Sequence, residues 1–119
     1  GHRVSDLVEL VDFMPTVFEL CGLPSAARAD GHSLVPLIAG HGPARDAVFA
    51  EQGLPGSALH WRGIRTARYA YTEYTGAHDA QLFDLLTDPA ERHNLLRDPQ
   101  PPQAVVTELR ERLARWQAG

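Results

Sequence analysis

A stretch of alternating arginines and aromatics, six histidines and one cysteine are the residues of this chain that could do chemistry. The stretch HWRGIRTARYAYTEY, residues 60–74, carries Arg62, Arg65 and Arg68, whose planar guanidinium forks suit the paired oxygens of a sulfate or carboxylate. Trp61 or a nearby Tyr could stack on a sugar ring, so His60, Trp61 and Arg65 are the candidate binding residues for an anionic ligand. A plainer role stands beside this one. The tyrosines would cover a core while the arginines face solvent or pair with Glu73 and Asp84. His2, His32, His41, His60, His78 and His93 are scattered without the i, i+4 pairing of a helical metal site, so no metal ligands are expected here. There is no Gly-x-Ser-x-Gly elbow and no Gly-rich phosphate loop. Cys21, in ELCGLPSAAR, is the one residue that could be a soft nucleophile.

The elements that must carry these side chains follow from periodicity. Val4, Leu7, Val8, Val11, Met14, Phe18 and Cys21 step by three and four. A second row, Leu10, Phe13, Val17 and Leu20, widens the apolar face beyond half the circumference, so a helix over about residues 8–21 must be buried on most sides. Pro15 either kinks that helix or stands in its first turn with Asp12 or Phe13 as cap. Gly22 and Pro24 end it. Asp30 and Gly31 make a turn, and Ser33 can cap a short helix carrying Leu34, Leu37 and Ile38. Extended segments follow at 47–51, 61–66, 68–75 and 81–85, with turns at Ala67 and over 76–79. A last helix opens after Pro101 and Pro102, with Val105, Val106, Leu109, Leu113 and Trp116 on one stripe. Its Glu108–Arg112 and Glu111–Arg115 pairs describe a solvated face. The expected class is α+β: a helix and a loop, then a small antiparallel sheet of three to four strands with the C-terminal helix packed on it.

Composition narrows the function classes. One modest core is the most that 119 residues can bury, and 44% hydrophobic with 22% charged residues is ordinary for a globular chain. A net charge of −4 argues against a nucleic-acid module. No apolar run approaches the roughly 20 residues of a membrane span. A single Cys rules out an internal disulfide. All 11 basic residues are Arg, which fits a GC-rich bacterial genome, and the opening without Met reads as a piece of something longer.

Four blocks, taken in order, resemble the arylsulfatase-type sulfatases of the alkaline phosphatase superfamily. VELVDFMPTVFELCGLP resembles their Val-Asp-x-x-Pro-Thr run into a helix that ends Ala-Gly-Leu-Pro. DGHSLVPLIAG, RGIRTARYAYTEY and QLFDLLTDPAERHNLLRDP resemble the three blocks that follow it, and the hairpin is most similar to the iduronate sulfatase-like branch. The resemblance implies a C-terminal sulfatase segment: 1–46 as the end of the catalytic α/β domain and its connection, 47–119 as a small α+β subdomain. It implies that the parent enzyme uses calcium and a formylglycine made from Cys or Ser, that this chain's partner is the N-terminal catalytic domain, and that a sulfated small molecule or sugar is the substrate. No catalytic residue is expected in this chain, which has no Cys-x-Pro-Ser-Arg run and no Lys. In ELCGLPSAAR the Pro is third and the Arg seventh after Cys21, so Cys21 is expected to be a small buried thiol at a helix end. Two other readings stay open: a free-standing interaction module of the same fold, and part of a related phosphonate or phosphate ester hydrolase.

Overall fold

The computed structural model describes residues 3–24, 30–75 and 79–118. The turn expected over 76–79, and with it His78, falls largely outside these residues, as do His2 and Arg28. The chain divides into two units, residues 1–48 and 49–119.

In the first unit a 3₁₀ turn, Leu10–Asp12, leads into helix α1, Phe13–Leu20, and a second short helix, α2, spans Val35–Ile38. The helix expected from residue 8 thus begins at 13, with Asp12 as cap. Pro15 is the reason: in the first turn its missing N–H costs nothing, whereas further into a helix it would leave a carbonyl unpaired. Gly22 closes the helix at φ +67, where a side chain would be strained. Ser33 does act near the start of α2, accepting from the Val35 amide at 3.2 Å.

The apolar width of α1 is not covered by these residues. Leu10 is 90% exposed and Leu20 69%, and Phe13 and Met14 are also exposed. Cys21, expected to be buried, is exposed as well. Periodicity places residues on a stripe, but whether the stripe is buried depends on what lies against it, and nothing in the described residues covers Cys21.

The second unit carries most of the sheet, whose first strand begins two residues before it. Strands β1 (Ala47–Gln52), β2 (Trp61–Thr66), β3 (Tyr69–Tyr74) and β4 (Asp79–Asp84) lie in the order β1-β2-β3-β4. The β2–β3 and β3–β4 pairs are antiparallel, with Ile64 opposite Tyr71 and Tyr71 opposite Leu82. That row, at 2%, 1% and 0% exposure, forms the core with Val106, Leu109 and Leu113 of α3 (Gln103–Ala118). The face is the period-2 consequence of the β pattern, and the helix stripe is the matching period-3.6 one. Phe49 of β1 stacks on Trp116 with centroids 5.1 Å apart.

Beside β4 a 3₁₀ turn, Leu95–Arg97, is held by Asn94. The Asn94 Oδ1 accepts from the Leu82 and Leu96 amides, and its Nδ2 donates to the Ala80 carbonyl. Asn94 thereby satisfies the edge of β4, which would otherwise be open to pairing with another strand. Asp88 closes the turn at 88–93, accepting from the Arg92 and His93 amides at 2.7 and 2.8 Å. Glu91 stands at φ +53 with its carboxylate on Arg65.

Candidate functional site

The sequence-derived candidates all lie at β2, and alternation decides which way each points. Arg62, Ile64 and Thr66 share the face covered by α3; Trp61, Gly63 and Arg65 share the other. His60, just before the strand, continues the register opposite Thr75, and the two backbones are joined by the Thr75 amide donating to the His60 carbonyl at 3.1 Å.

His60 is buried, and both its ring nitrogens are engaged: Nε2 lies 2.6 Å from Glu51 Oε1, and Nδ1 lies 2.7 Å from Thr75 Oγ1. A carboxylate only accepts, so Nε2 carries a proton toward Glu51. Trp61 donates its indole N–H to Gln52 Oε1 at 3.1 Å. Arg65 bonds Glu91 through one nitrogen at 2.7 Å and stays half exposed, so other donors of its fork face solvent.

The arginines on either side follow the plainer role. Arg62 pairs with Glu73 at 2.8 Å and also donates to Gln117, and Arg68 pairs with Asp84 at 2.9 Å. Glu73 receives further bonds from the Tyr71 hydroxyl at 2.7 Å and Arg110 at 2.9 Å. Burial works to raise the Glu73 carboxyl, but these three donors outweigh it and hold it below the usual range. Burial, reinforced by the hydrogen bond to Glu73, pushes the Tyr71 phenol up to about 12. These groups lock α3 to the sheet; they are not poised to exchange protons near neutrality.

Sequence reasoning passed over a second constellation, in the first unit. Asp12 is fully buried and its carboxylate is saturated: the Arg45 guanidinium grips both oxygens, and the Glu9 and His32 amides donate at 2.8 and 2.9 Å. The Arg45 hydrogen bonds are the main reason its carboxyl lies well below the ordinary value, against the opposing effect of burial. Thr16 extends the staple, donating to the Asp12 carbonyl at 2.6 Å and accepting from the Leu34 amide at 2.8 Å. A Cβ on Gly31 would overlap the Val11 carbonyl, so the turn that brings His32 to Asp12 requires glycine. Beside this staple runs a groove of about 850 Å³ lined in part by Leu7, Pro15, Leu34, Leu37 and Arg45. Local signals marked Asp12 as a cap; nothing near Arg45 marked it as a partner 33 residues away.

Among the described residues no three His, Cys, Asp or Glu side chains converge on a point that could hold a metal ion, and no helix is long and apolar enough to cross a membrane. Asp12, the most buried carboxylate, has spent its acceptors on Arg45 and two amides. Cys21 sits at the end of α1 followed by Gly22, Leu23 and Pro24. These residues therefore do not fit a calcium or formylglycine site.

The sequence matches, over residues 1–119, the family described as N-sulphoglucosamine sulphohydrolase, C-terminal. This chain belongs to that sulfatase C-terminal family. It is 30% identical over 94 residues to the Delta 4,5-hexuronate-2-O-sulfatase of Bacteroides thetaiotaomicron, covering 76% of this chain and 20% of that protein. It is 30% identical over 120 residues to arylsulfatase K of Rattus norvegicus, covering 91% and 21%. Among solved structures it resembles a 2-O GAG sulfatase, with a TM-score of 0.73 at 30% identity over 88% of this chain and 23% of that one. It also resembles a phosphonate monoester hydrolase from Silicibacter pomeroyi, with a TM-score of 0.70 at 27% identity over 99% and 26%. The chain spans about a fifth of the length of the curated relatives it matches.

Proposed function

We propose that this sulfatase C-terminal segment works as part of a longer bacterial enzyme of the alkaline phosphatase superfamily that hydrolyses sulfate esters of a sugar or another small molecule. The observation that carries this reading is the family match over the whole chain, joined to relatives of which the matched part is only about a fifth. In this reading residues 1–46 end the catalytic α/β domain and connect it to the small subdomain 47–119. The formylglycine and calcium belong to residues outside this chain, and the chain contributes no catalytic group. Trp61 and Arg65, backed by His60, border the substrate cleft. The half-free guanidinium fork of Arg65 and the indole of Trp61 support that assignment, as does the sugar substrate named for the hexuronate relative.

The exposed face of α1 speaks against a free-standing module. Leu10, Phe13, Met14 and Leu20 would each gain about 1.5–3 kcal/mol from burial, and such a contiguous patch marks a docking surface. The N-terminal catalytic domain is the partner that fits it. The test is to express the complete reading frame and assay sulfate release from 4-nitrophenyl sulfate and from sulfated disaccharides. We expect turnover by the full enzyme and none by residues 1–119 alone; a full frame without a formylglycine motif overturns the reading. The phosphonate monoester hydrolase neighbour supports a second reading, an ester hydrolase of phosphonates. Faster turnover of a phenyl phosphonate monoester than of the sulfate esters would favour it.

A further inference from the structure

We propose that Trp61 is a preformed stacking face for a pyranose ring of the substrate, and that His60, Glu51 and Gln52 are the residues that position it. The inference rests on the reading of this hairpin as a cleft border. It comes from how two neighbouring pairs of residues are joined. Glu51 and Gln52 end β1; His60 stands just before β2 and Trp61 opens it. Adjacent residues of a strand point to opposite faces, so each pair is bonded on its own side of the sheet.

On the helix side the Glu51–His60–Thr75 chain clamps the start of β2, with His60 only 5% exposed. Gln117 of α3 reaches the same Glu51 oxygen at 3.4 Å and also accepts from Arg62, so the clamp is continuous with the network that locks α3. On the other side the indole N–H is held by Gln52. The ring leans along the strand over Gly63, where a Cβ would meet its Cζ3 at 3.7 Å and the Thr72 hydroxyl at 3.2 Å. Glycine at this position therefore lets the indole lie close against the strand. An aromatic ring fixed before the ligand arrives binds without losing rotamer freedom at that moment. His60 thus acts through Trp61 rather than by touching the sugar, since neither ring nitrogen is free to do so.

The test uses the full-length enzyme with a 2-O-sulfated hexuronate disaccharide and with 4-nitrophenyl sulfate, which has no pyranose. Trp61→Ala should raise KM for the disaccharide about tenfold more than it raises KM for the aryl ester. Gln52→Leu, a change at an exposed position, should raise the disaccharide KM about fivefold, and Gln52→Glu, which keeps an acceptor for the indole, should restore it. His60→Gln should act in the same direction as Gln52→Leu; if it does not fold, the Gln52 pair alone decides. A merely structural lesion would weaken both substrates together. If Trp61→Ala raises KM and Gln52→Leu does not, the positioning inference fails while the cleft border stands. If Trp61→Ala changes nothing, or only the aryl ester is hydrolysed, the stacking face falls as well.

Discussion

Asp12 and Cys21 show how far a single residue's role depends on what surrounds it. The Asp12 carboxylate is buried and gripped by Arg45, so removing it strands a cation and two amides. Asp12→Ala should cost about 3 kcal/mol, measured by denaturant unfolding of the full-length protein at pH 7. Its folded pKa is depressed, so its contribution is complete above the free carboxyl's value of 3.8 and is lost as pH falls from there toward the lower folded value. The stability gap between the native protein and Asp12→Asn should therefore be constant from pH 7 to about 5 and close as the solution is acidified further. Cys21 makes the opposite case, being exposed where a stripe position suggested burial. Its thiol should react readily with a disulfide reagent in the isolated chain and slowly in the complete enzyme, while Cys21→Ala leaves activity in place. Equal reactivity in both would mean that the α1 face is not the one that docks.

At the scale of elements, α3 and the 3₁₀ turn beside β4 hold the sheet in different ways. Leu113 is wholly buried against the Ile64–Tyr71–Leu82 row, and Leu113→Ala should cost about 3 kcal/mol by leaving a cavity. Asn94→Ala leaves the Leu82 amide and the Ala80 carbonyl without their partner and should cost about 1–2 kcal/mol. By contrast Glu111, exposed and 4.0 Å from Arg115, should change stability by less than about 0.5 kcal/mol when replaced by Ala. Thermal or chemical unfolding of the three variants, read by circular dichroism, checks the order. The strands and α3 were legible because their apolar periods are long and match one face each. The start of the first helix was legible only as a choice around Pro15. The use of Asn94 was not legible, because the polar group it satisfies is on a strand 12 residues away.

For the molecule as a whole, the two units differ in what they leave exposed. The second has a closed core between sheet and α3 and exposes Leu54, Leu59 and Leu86 separately in its loops; the first exposes Leu10, Phe13 and Leu20 together on the 3₁₀ turn and α1. Residues 47–119 alone should therefore be monomeric, while residues 1–119 should self-associate as concentration rises, a difference that sedimentation reads directly. Monomeric behaviour of both would mean that the apolar face is tolerated by solvent.

The sequence alone was enough to establish the α+β class, the meander, the C-terminal helix and the sulfatase resemblance, because each rests on periodicity or on ordered blocks that any reader of the chain can count. It also separated Cys21 from a formylglycine site by spacing. Tertiary structure decided which arginine meets which carboxylate, that Arg45 closes on Asp12, and that His60 is enclosed between Glu51 and Thr75. Those outcomes depend on residues far apart in sequence reaching hydrogen-bond distance, a condition that no local pattern encodes.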